Sequence, residues 1–163
     1  MKKSTVLILL IVFVLSVVIV GIFGMKIMSY NVKVYIKEIV PTQVVLNDNN
    51  NTIYTYYPNG SDSPNQIRED EKQENTYYIR VSYYEGLTLI VDYEVIPNDA
   101  SNRDLKITIT YDSKVGALEG VYESNSVSLK NNIITFKEKA NVEITFRSTD
   151  GSNKVMKLWV YMR

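Results

Sequence analysis

The chain has 163 residues, in which 18 Lys and Arg balance 18 Asp and Glu, and it contains neither Cys nor His. This composition excludes a disulfide framework, a thiol nucleophile, a Cys/His zinc site and any catalytic dyad or triad that needs an imidazole. Beyond residue 25 there are 16 basic and 18 acidic residues. Such a slight acidic excess gives no reason to expect binding to nucleic acid, which needs a concentrated basic surface.

The N-terminal segment is predicted to be an uncleaved transmembrane signal anchor. No charge occurs between Lys3 and Lys26, and the run from Val6 to Met25 is apolar except for Ser16 and two glycines. A helix of about 20 residues is about 30 Å long, which matches the hydrocarbon core of a bilayer. A cleaved signal peptide, the alternative, usually has a shorter apolar core that ends in an Ala-x-Ala-like site.

The anchor divides the chain into four predicted parts. They are a cytoplasmic N-terminus at 1–4, the transmembrane anchor at 5–25, a juxtamembrane linker at 26–31 and an extracellular domain at 32–163. The lipid bilayer is the expected partner of residues 5–25. Basic residues flank the anchor on both sides, so the orientation does not follow from charge alone. It depends instead on the nature of the domain that follows.

Apolar and polar residues alternate after residue 32, which is typical of half-buried β-strands. Tyr111 is placed by this alternation on the core face with Ile107 and Ile109. Turn-forming residues separate the segments, and no window predicts an amphipathic helix, so we expect a β-sandwich or barrel. The predicted strands are 34–40, 53–57, 77–84, 87–95, 105–111, 126–129, 133–136, 142–147 and 155–162.

The segment from Pro58 to Thr76 departs from the alternation. It is rich in Gly, Ser, Asn and charged residues, and Ile67 is its sole aliphatic residue. Such a segment buries too little apolar surface to offset its conformational entropy, so we expect a mobile loop. Two interpretations of the loop are open. It is a solvated hairpin tip, or it has a function as a recognition loop or cation site.

Three motifs carry a resemblance to a known family. They are Glu-Gly-Leu-Thr-Leu at 85–89, Val-Ile-Pro-Asn-Asp-Ala-Ser-Asn-Arg-Asp-Leu at 95–105, and Ile-Thr-Phe-Arg-Ser-Thr-Asp-Gly at 144–151. In this order, before an alternating final strand, they resemble the group 2 bacterial immunoglobulin-like domain. Residues 34–41 also resemble the first strand of that family.

The resemblance implies an all-β fold class, here an immunoglobulin-like β-sandwich preceded by a single transmembrane helix. Ile107 stands where the family has Trp, and Ala140 stands where it usually has Gly. Residues 42–84 have no counterpart in the family and are expected to be an insertion of extra strands and the polar loop.

No set of residues predicts catalysis, and the chain is not expected to be an enzyme or to hold a cofactor or a metal. Paired carboxylates occur only in predicted loops, where a solvated charge run explains them. Asp99, Asp104 and Asp112 are the best carboxylates for a calcium site, but surface polarity is the simpler explanation for them.

Tyrosine is the compositional outlier, with 13 Tyr against 4 Phe. On the last predicted strand, Trp159 and Tyr161 alternate with apolar residues and are expected to face outward. Tyr78 and Tyr84 extend this pair from a neighbouring strand, which makes these four residues the candidates for contact with a partner. The alternative is that residues 42–84 cover the same face.

These features predict a single-pass bacterial cell-membrane protein whose C-terminal domain is extracellular. The family resemblance implies that it acts by non-catalytic contact, as adhesion or ligand binding, with a protein or glycan partner at the cell surface. The alternative function is that of a structural or accessory subunit of a larger membrane or cell-envelope assembly.

Overall fold

A computed structural model describes residues 3–30, 32–48, 50, 52–58 and 65–163 of the chain. Two compact units are present, Met1–Lys33 and Val34–Arg163. The first contains one helix, α1 (Lys3–Tyr30), in which the segment Ser4–Phe23 has a mean hydropathy of 3.5. From Val6 to Phe23 its large apolar side chains are about half exposed or more on all sides. The helix is therefore long and apolar enough to cross a membrane, features that a signal sequence shares.

The second unit is built of eleven strands. They are β1 (Glu38–Asn47), β2 (Ile53–Pro58), β3 (Gln66–Glu69), β4 (Thr76–Val81), β5 (Thr88–Ile96), β6 (Leu105–Asp112), β7 (Gly116–Val121), β8 (Val127–Lys130), β9 (Ile133–Phe136), β10 (Val142–Ser148) and β11 (Val155–Met162).

The strands form one continuous curled sheet in the order β7-β6-β10-β11-β4-β3-β2-β1-β5-β9-β8. Neighbours are antiparallel except at β11/β4 and β2/β3. The β2/β3 junction is the shortest contact, with Tyr57 paired to Gln66 and Pro58 to Ile67. Curling brings the two halves of the sheet together around one interior, where the rings of Tyr93 on β5 and Phe146 on β10 lie 5.7 Å apart.

The predictions of a β-rich fold and of a single N-terminal apolar helix are confirmed. The architecture nevertheless differs from a sandwich of two separate sheets, because all eleven strands belong to one half-barrel. The physical reason lies in residues 42–84. They form most of β1 and all of β2, β3 and β4, which join edge to edge and bridge the two halves.

The core follows the predicted alternation most closely in β5 and β11, whereas in β10 the outward residues Glu143 and Thr145 are buried as well. On β5 the residues Leu89, Val91 and Val95 are buried, while Ile90 and Asp92 are exposed. The inward residues of β10 and β11 are almost completely buried. Alternate residues of a strand point to opposite faces, so the sheet has one apolar inner face and one mixed outer face.

Two strands were not expected from the sequence. β3 lies inside the segment predicted to be a mobile loop, and β7 lies between two predicted strands. Ile67 on β3 is only 1% exposed, so one aliphatic side chain is enough to attach this polar segment to the core. Residues 70–75 connect β3 to β4, and residues 59–64 of the predicted loop lie outside the described residues.

Candidate functional site

The candidate site lies on the outer face of the sheet, where strand register aligns four aromatic residues. Trp159 on β11 pairs with Tyr78 on β4 and, on its other side, with Glu143 on β10. Glu143 in turn pairs with Tyr111 on β6. Tyr161 follows two residues after Trp159 on the same face. We call the set of Tyr78, Tyr111, Trp159 and Tyr161 the aromatic row; all four are half-buried.

The rings of the aromatic row contact one another in sequence. Tyr111 and Trp159 have ring centroids 5.2 Å apart with tilted planes. Trp159 and Tyr161 stack almost in parallel, with centroids 5.7 Å apart and planes 6° apart. Tyr78 meets Tyr161 edge to face at 6.1 Å. These spacings are those of favourable aromatic pairs, so the row is an ordered surface.

Tyr111 reaches this face because of a β-bulge. The β6/β10 register pairs Ile109 with Ile144 but Tyr111 with Glu143, so Thr110 is the extra residue on β6. A bulge shifts the side chains that follow it to the opposite face. Tyr111 therefore lies outside and Asp112 is fully buried. The sequence alternation, which carries no sign of the bulge, wrongly placed Tyr111 in the core.

A buried polar network supports the row from below. Tyr111 and Trp159 meet above Glu143, whose side chain is only 9% exposed. Thr110 Oγ1 donates a hydrogen bond of 2.7 Å to Glu143 Oε1. Since a hydroxyl has one proton to donate, the 2.8 Å hydrogen bond between Thr110 and Thr145 is donated by Thr145. Lys157 Nζ lies 3.2 Å from the same carboxylate oxygen. The buried charge thus has the partners that burial demands.

An acidic turn borders the other end of the row. Glu69, Asp70 and Glu71 line a concavity of about 510 Å³ together with Tyr161 and Arg80. Burial, followed by the nearby Asp70 carboxylate, raises the pKa of the Tyr161 phenol above its ordinary value, and Arg80 acts in the opposite direction. Tyr161 is consequently a neutral hydrogen-bond donor at the surface at neutral pH.

Tyr84 does not belong to the aromatic row. It lies just after β4, and its ring stacks against Tyr54 of β2 with centroids 6.4 Å apart. This pair lines a separate concavity of about 130 Å³ with Leu46 and Leu87. Of the four aromatic residues selected from the sequence, Trp159, Tyr161 and Tyr78 are brought together and Tyr84 is not.

Residues 42–84 supply Tyr78 of the aromatic row and extend the sheet beyond it, and their described strands do not lie across the row. Arg68 of β3 pairs with Tyr78, and the turn after β3 approaches Tyr161 from the edge. The row is therefore left half-exposed in the part of the chain that the structure describes.

The carboxylates considered for calcium do not form a cation site. Asp112 is buried and accepts hydrogen bonds from the Lys114 amide and the Ser124 hydroxyl, so it stabilises the β6–β7 turn. Asp99 and Asp104 are exposed. Among the described residues no three acidic side chains are close enough to share a metal ion.

The aromatic row consists of flat rings with polar edges. Flat rings with polar edges give contact area at low entropic cost, because their side chains have few rotatable bonds. The nearest carboxylate, Glu143, is shielded by two rings and committed to Thr110 and Lys157, so it is not presented to a substrate.

Comparison with protein-family models, with characterised proteins and with solved structures finds no match for this chain.

Proposed function

We propose that this protein is a membrane-anchored surface module that binds a partner by non-catalytic contact through its aromatic row. In this proposal α1 is an uncleaved, single-pass anchor of a bacterial cell membrane, and the β-rich unit is extracellular. The observation that carries it is the aromatic row itself: four rings in mutual contact on an outer sheet face that no described strand covers.

The character of α1 supports the anchor. Its apolar side chains are uncovered all round the helix, and Phe13 and Val20 are about two thirds exposed. A helix that is apolar on every side needs an apolar surrounding, which a lipid bilayer supplies. The only polar side chain described between Val6 and Phe23, that of Ser16, donates to the Phe13 carbonyl within the helix.

The resemblance to group 2 bacterial immunoglobulin-like domains supports the location and the kind of activity. Two motifs of the resemblance form connections in the sheet, at Pro97 between β5 and β6 and at Gly151 between β10 and β11. In the proposed view the β-rich unit is a divergent member of that family, in which β2, β3 and β4 join two ancestral sheets into one.

Site-specific photocrosslinking tests the contact. A photoreactive phenylalanine analogue replaces Tyr161 in the full chain, and cells are irradiated before their membranes are isolated. The proposal expects one discrete crosslinked product from position 161. The control is the same analogue at Ile133, which is 40% exposed on β9 and far from the row in strand order.

A double variant that lacks two rings of the aromatic row provides a second test. Trp159→Ala combined with Tyr161→Ala removes the centre of the row and should abolish partner binding, while circular dichroism shows the same strand content. Equal crosslinking at positions 161 and 133, or full binding by the double variant, would contradict the proposal. Two observations test the topology. Protease added to intact cells should digest the β-rich unit, and the membrane-bound chain should start at Met1.

A structural subunit of a larger assembly is the second candidate, and the uncovered α1 favours it because helix packing would also cover apolar side chains. Native mass analysis of the detergent-solubilised full chain separates the two. A fixed stoichiometric complex held together through α1, unaffected by the double alanine variant, would favour the subunit over the binding module.

A further inference from the structure

A second concavity, adjacent to the aromatic row, is lined by three arginines. Arg68, Arg80 and Arg163 surround a volume of about 270 Å³ whose wall also includes Tyr78. The whole chain has five arginines, so most of them converge here. We call this site the arginine concavity.

The strand register brings the arginines together. Arg68 on β3 lies opposite Tyr78 on β4, and Arg80 lies two residues further along β4. Arg163 directly follows β11, and its amide donates to the Val81 carbonyl at 2.9 Å. The Tyr56 hydroxyl donates to the Arg80 carbonyl at 3.3 Å. The three side chains therefore start from backbone that is fixed by hydrogen bonds.

None of the three guanidinium groups forms an ion pair within the described part of the chain. The ion pairs there are Lys137–Glu123 and Lys157–Glu143. The described residues that line the arginine concavity include no acidic side chain. Three like charges that face one space repel each other, and an anion bound between them would relieve the repulsion.

The acidic residues of the neighbourhood line a different concavity. Glu69, Asp70 and Glu71 line the 510 Å³ concavity, which shares Tyr78 and Arg80 with the arginine concavity. The cationic site is local, since the chain from Val34 onward has 14 basic and 18 acidic residues. Among the described lining residues, the charged side chains of the arginine concavity are all cationic, whereas the 510 Å³ concavity is lined by carboxylates together with Lys72 and Arg80.

The site has the properties needed for a small ring that carries an acid group. The planar fork of an arginine matches the two oxygens of a carboxylate, which favours oxyanions over other ligands. Tyr78 adds an aromatic surface, and Arg80 Cζ lies 5.6 Å from its ring centroid. Sites for drug-sized ligands measure roughly 300–1,000 Å³, so this smaller space suits a single monosaccharide.

We propose that the arginine concavity binds one acidic sugar residue, with its carboxylate held by Arg68, Arg80 and Arg163 and its ring in contact with Tyr78. This site goes beyond the proposed function: it shares Tyr78 with the aromatic row, but the three arginines that hold the carboxylate are not members of the row.

Ligand-observed NMR titration of the full chain in phosphatidylcholine nanodiscs tests the site. The probes are galacturonate, its neutral analogue galactose, and inorganic phosphate. Galacturonate should bind, galactose should not, and added salt should weaken the binding. Arg68→Gln, Arg80→Gln and Arg163→Gln should each raise the dissociation constant about tenfold or more, the usual effect of losing a charge-assisted hydrogen bond.

Arg147→Gln is the matched control, since Arg147 is exposed on β10 outside the arginine concavity. It should leave galacturonate binding unchanged. Circular dichroism should show that every variant is folded.

Absence of galacturonate binding, or equal weakening by Arg147→Gln, would overturn the proposal. Phosphate binding as tight as that of galacturonate would overturn the sugar assignment, as would arginine-dependent capture of vesicles that contain phosphatidylglycerol.

Discussion

The carboxylate of Asp150 accepts a hydrogen bond of 2.6 Å from the backbone amide of Ile36, which lies 114 positions earlier in the chain. The other carboxylate oxygen accepts from the Ser152 amide at 2.9 Å. Asp150 thereby connects the segment before β1 to the β10–β11 turn. Burial alone would raise the pKa of Asp150, but the hydrogen bonds from Ile36 and Ser152 outweigh it and lower the pKa from 3.8 to about 2.

This depressed pKa predicts a specific pH dependence. The ionised carboxylate is the form that the folded state stabilises, so its contribution is complete above 3.8 and disappears as the pH falls towards 2. Asp150→Asn should lower the stability at neutral pH, because an amide has a single acceptor oxygen and cannot accept from both the Ile36 and the Ser152 amides. The difference from the wild type should shrink across this pH window. Urea unfolding followed by circular dichroism measures it, with the exposed Asp99→Asn as control.

The buried network under the aromatic row predicts a ranking of two substitutions. Thr110→Val removes a donor to the buried Glu143 carboxylate and should destabilise the fold by about 1–3 kcal/mol. Lys157→Met breaks an ion pair whose cation is 40% exposed, so its cost should be only about 0–1 kcal/mol. Trp159, the only tryptophan of the chain, reports unfolding by fluorescence. A larger effect of the lysine substitution would show that the ion pair dominates the network.

Ile67 predicts how strongly β3 depends on one side chain. Ile67→Ala should cost about 2–5 kcal/mol, because it leaves a cavity where a side chain only 1% exposed was packed. Ile90→Ala on β5 is the matched control, with 40% of the original side chain exposed, and it should have a small effect. Thermal or urea unfolding compares the two variants. Similar losses at both positions would mean that β3 is not attached through Ile67.

The acidic turn predicts the titration of Tyr161. Removal of the negative charge in Asp70→Asn should lower the raised pKa of Tyr161, whereas removal of the positive charge in Arg80→Gln should raise it further. Ultraviolet absorbance of tyrosinate follows the titration, and the spectrum of Tyr161→Phe subtracts the other tyrosines. Shifts in the same direction for both variants would exclude the arrangement of these charges around Tyr161.

The strands that were predicted best are those whose inward residues are all apolar. In β5, β10 and β11 the inner residues are aliphatic or aromatic, so the period of two is visible in the sequence. β3 was missed because its four residues contain a single apolar side chain. β7 was missed because Gly116 and Gly120, both at positive φ, interrupt the strand pattern.

The site was only partly predictable for a similar reason. Trp159 and Tyr161 follow from the alternation of their own strand, whereas Tyr111 depends on an extra residue in β6 that no periodicity shows. The arginine concavity depends on the parallel pairing of β4 with β11, which places Arg80 near the end of a strand about 80 residues away in sequence. Single-strand patterns contain no information on such long-range pairing.

The first and last strands of the β-rich unit, β1 and β11, both lie inside the sheet with hydrogen-bonded neighbours on each side. Unfolding that starts at either of these strands must therefore break the backbone hydrogen bonds to two neighbouring strands at once. The two ends of the strand order are β7 and β8, which are consecutive along the chain. The segment that connects them is itself bonded to β8, because Glu123 bridges Ser128 and the Leu129 amide donates to the Tyr122 carbonyl at 2.7 Å. Neither terminal strand of the unit therefore offers the free row of backbone groups along which another molecule could pair.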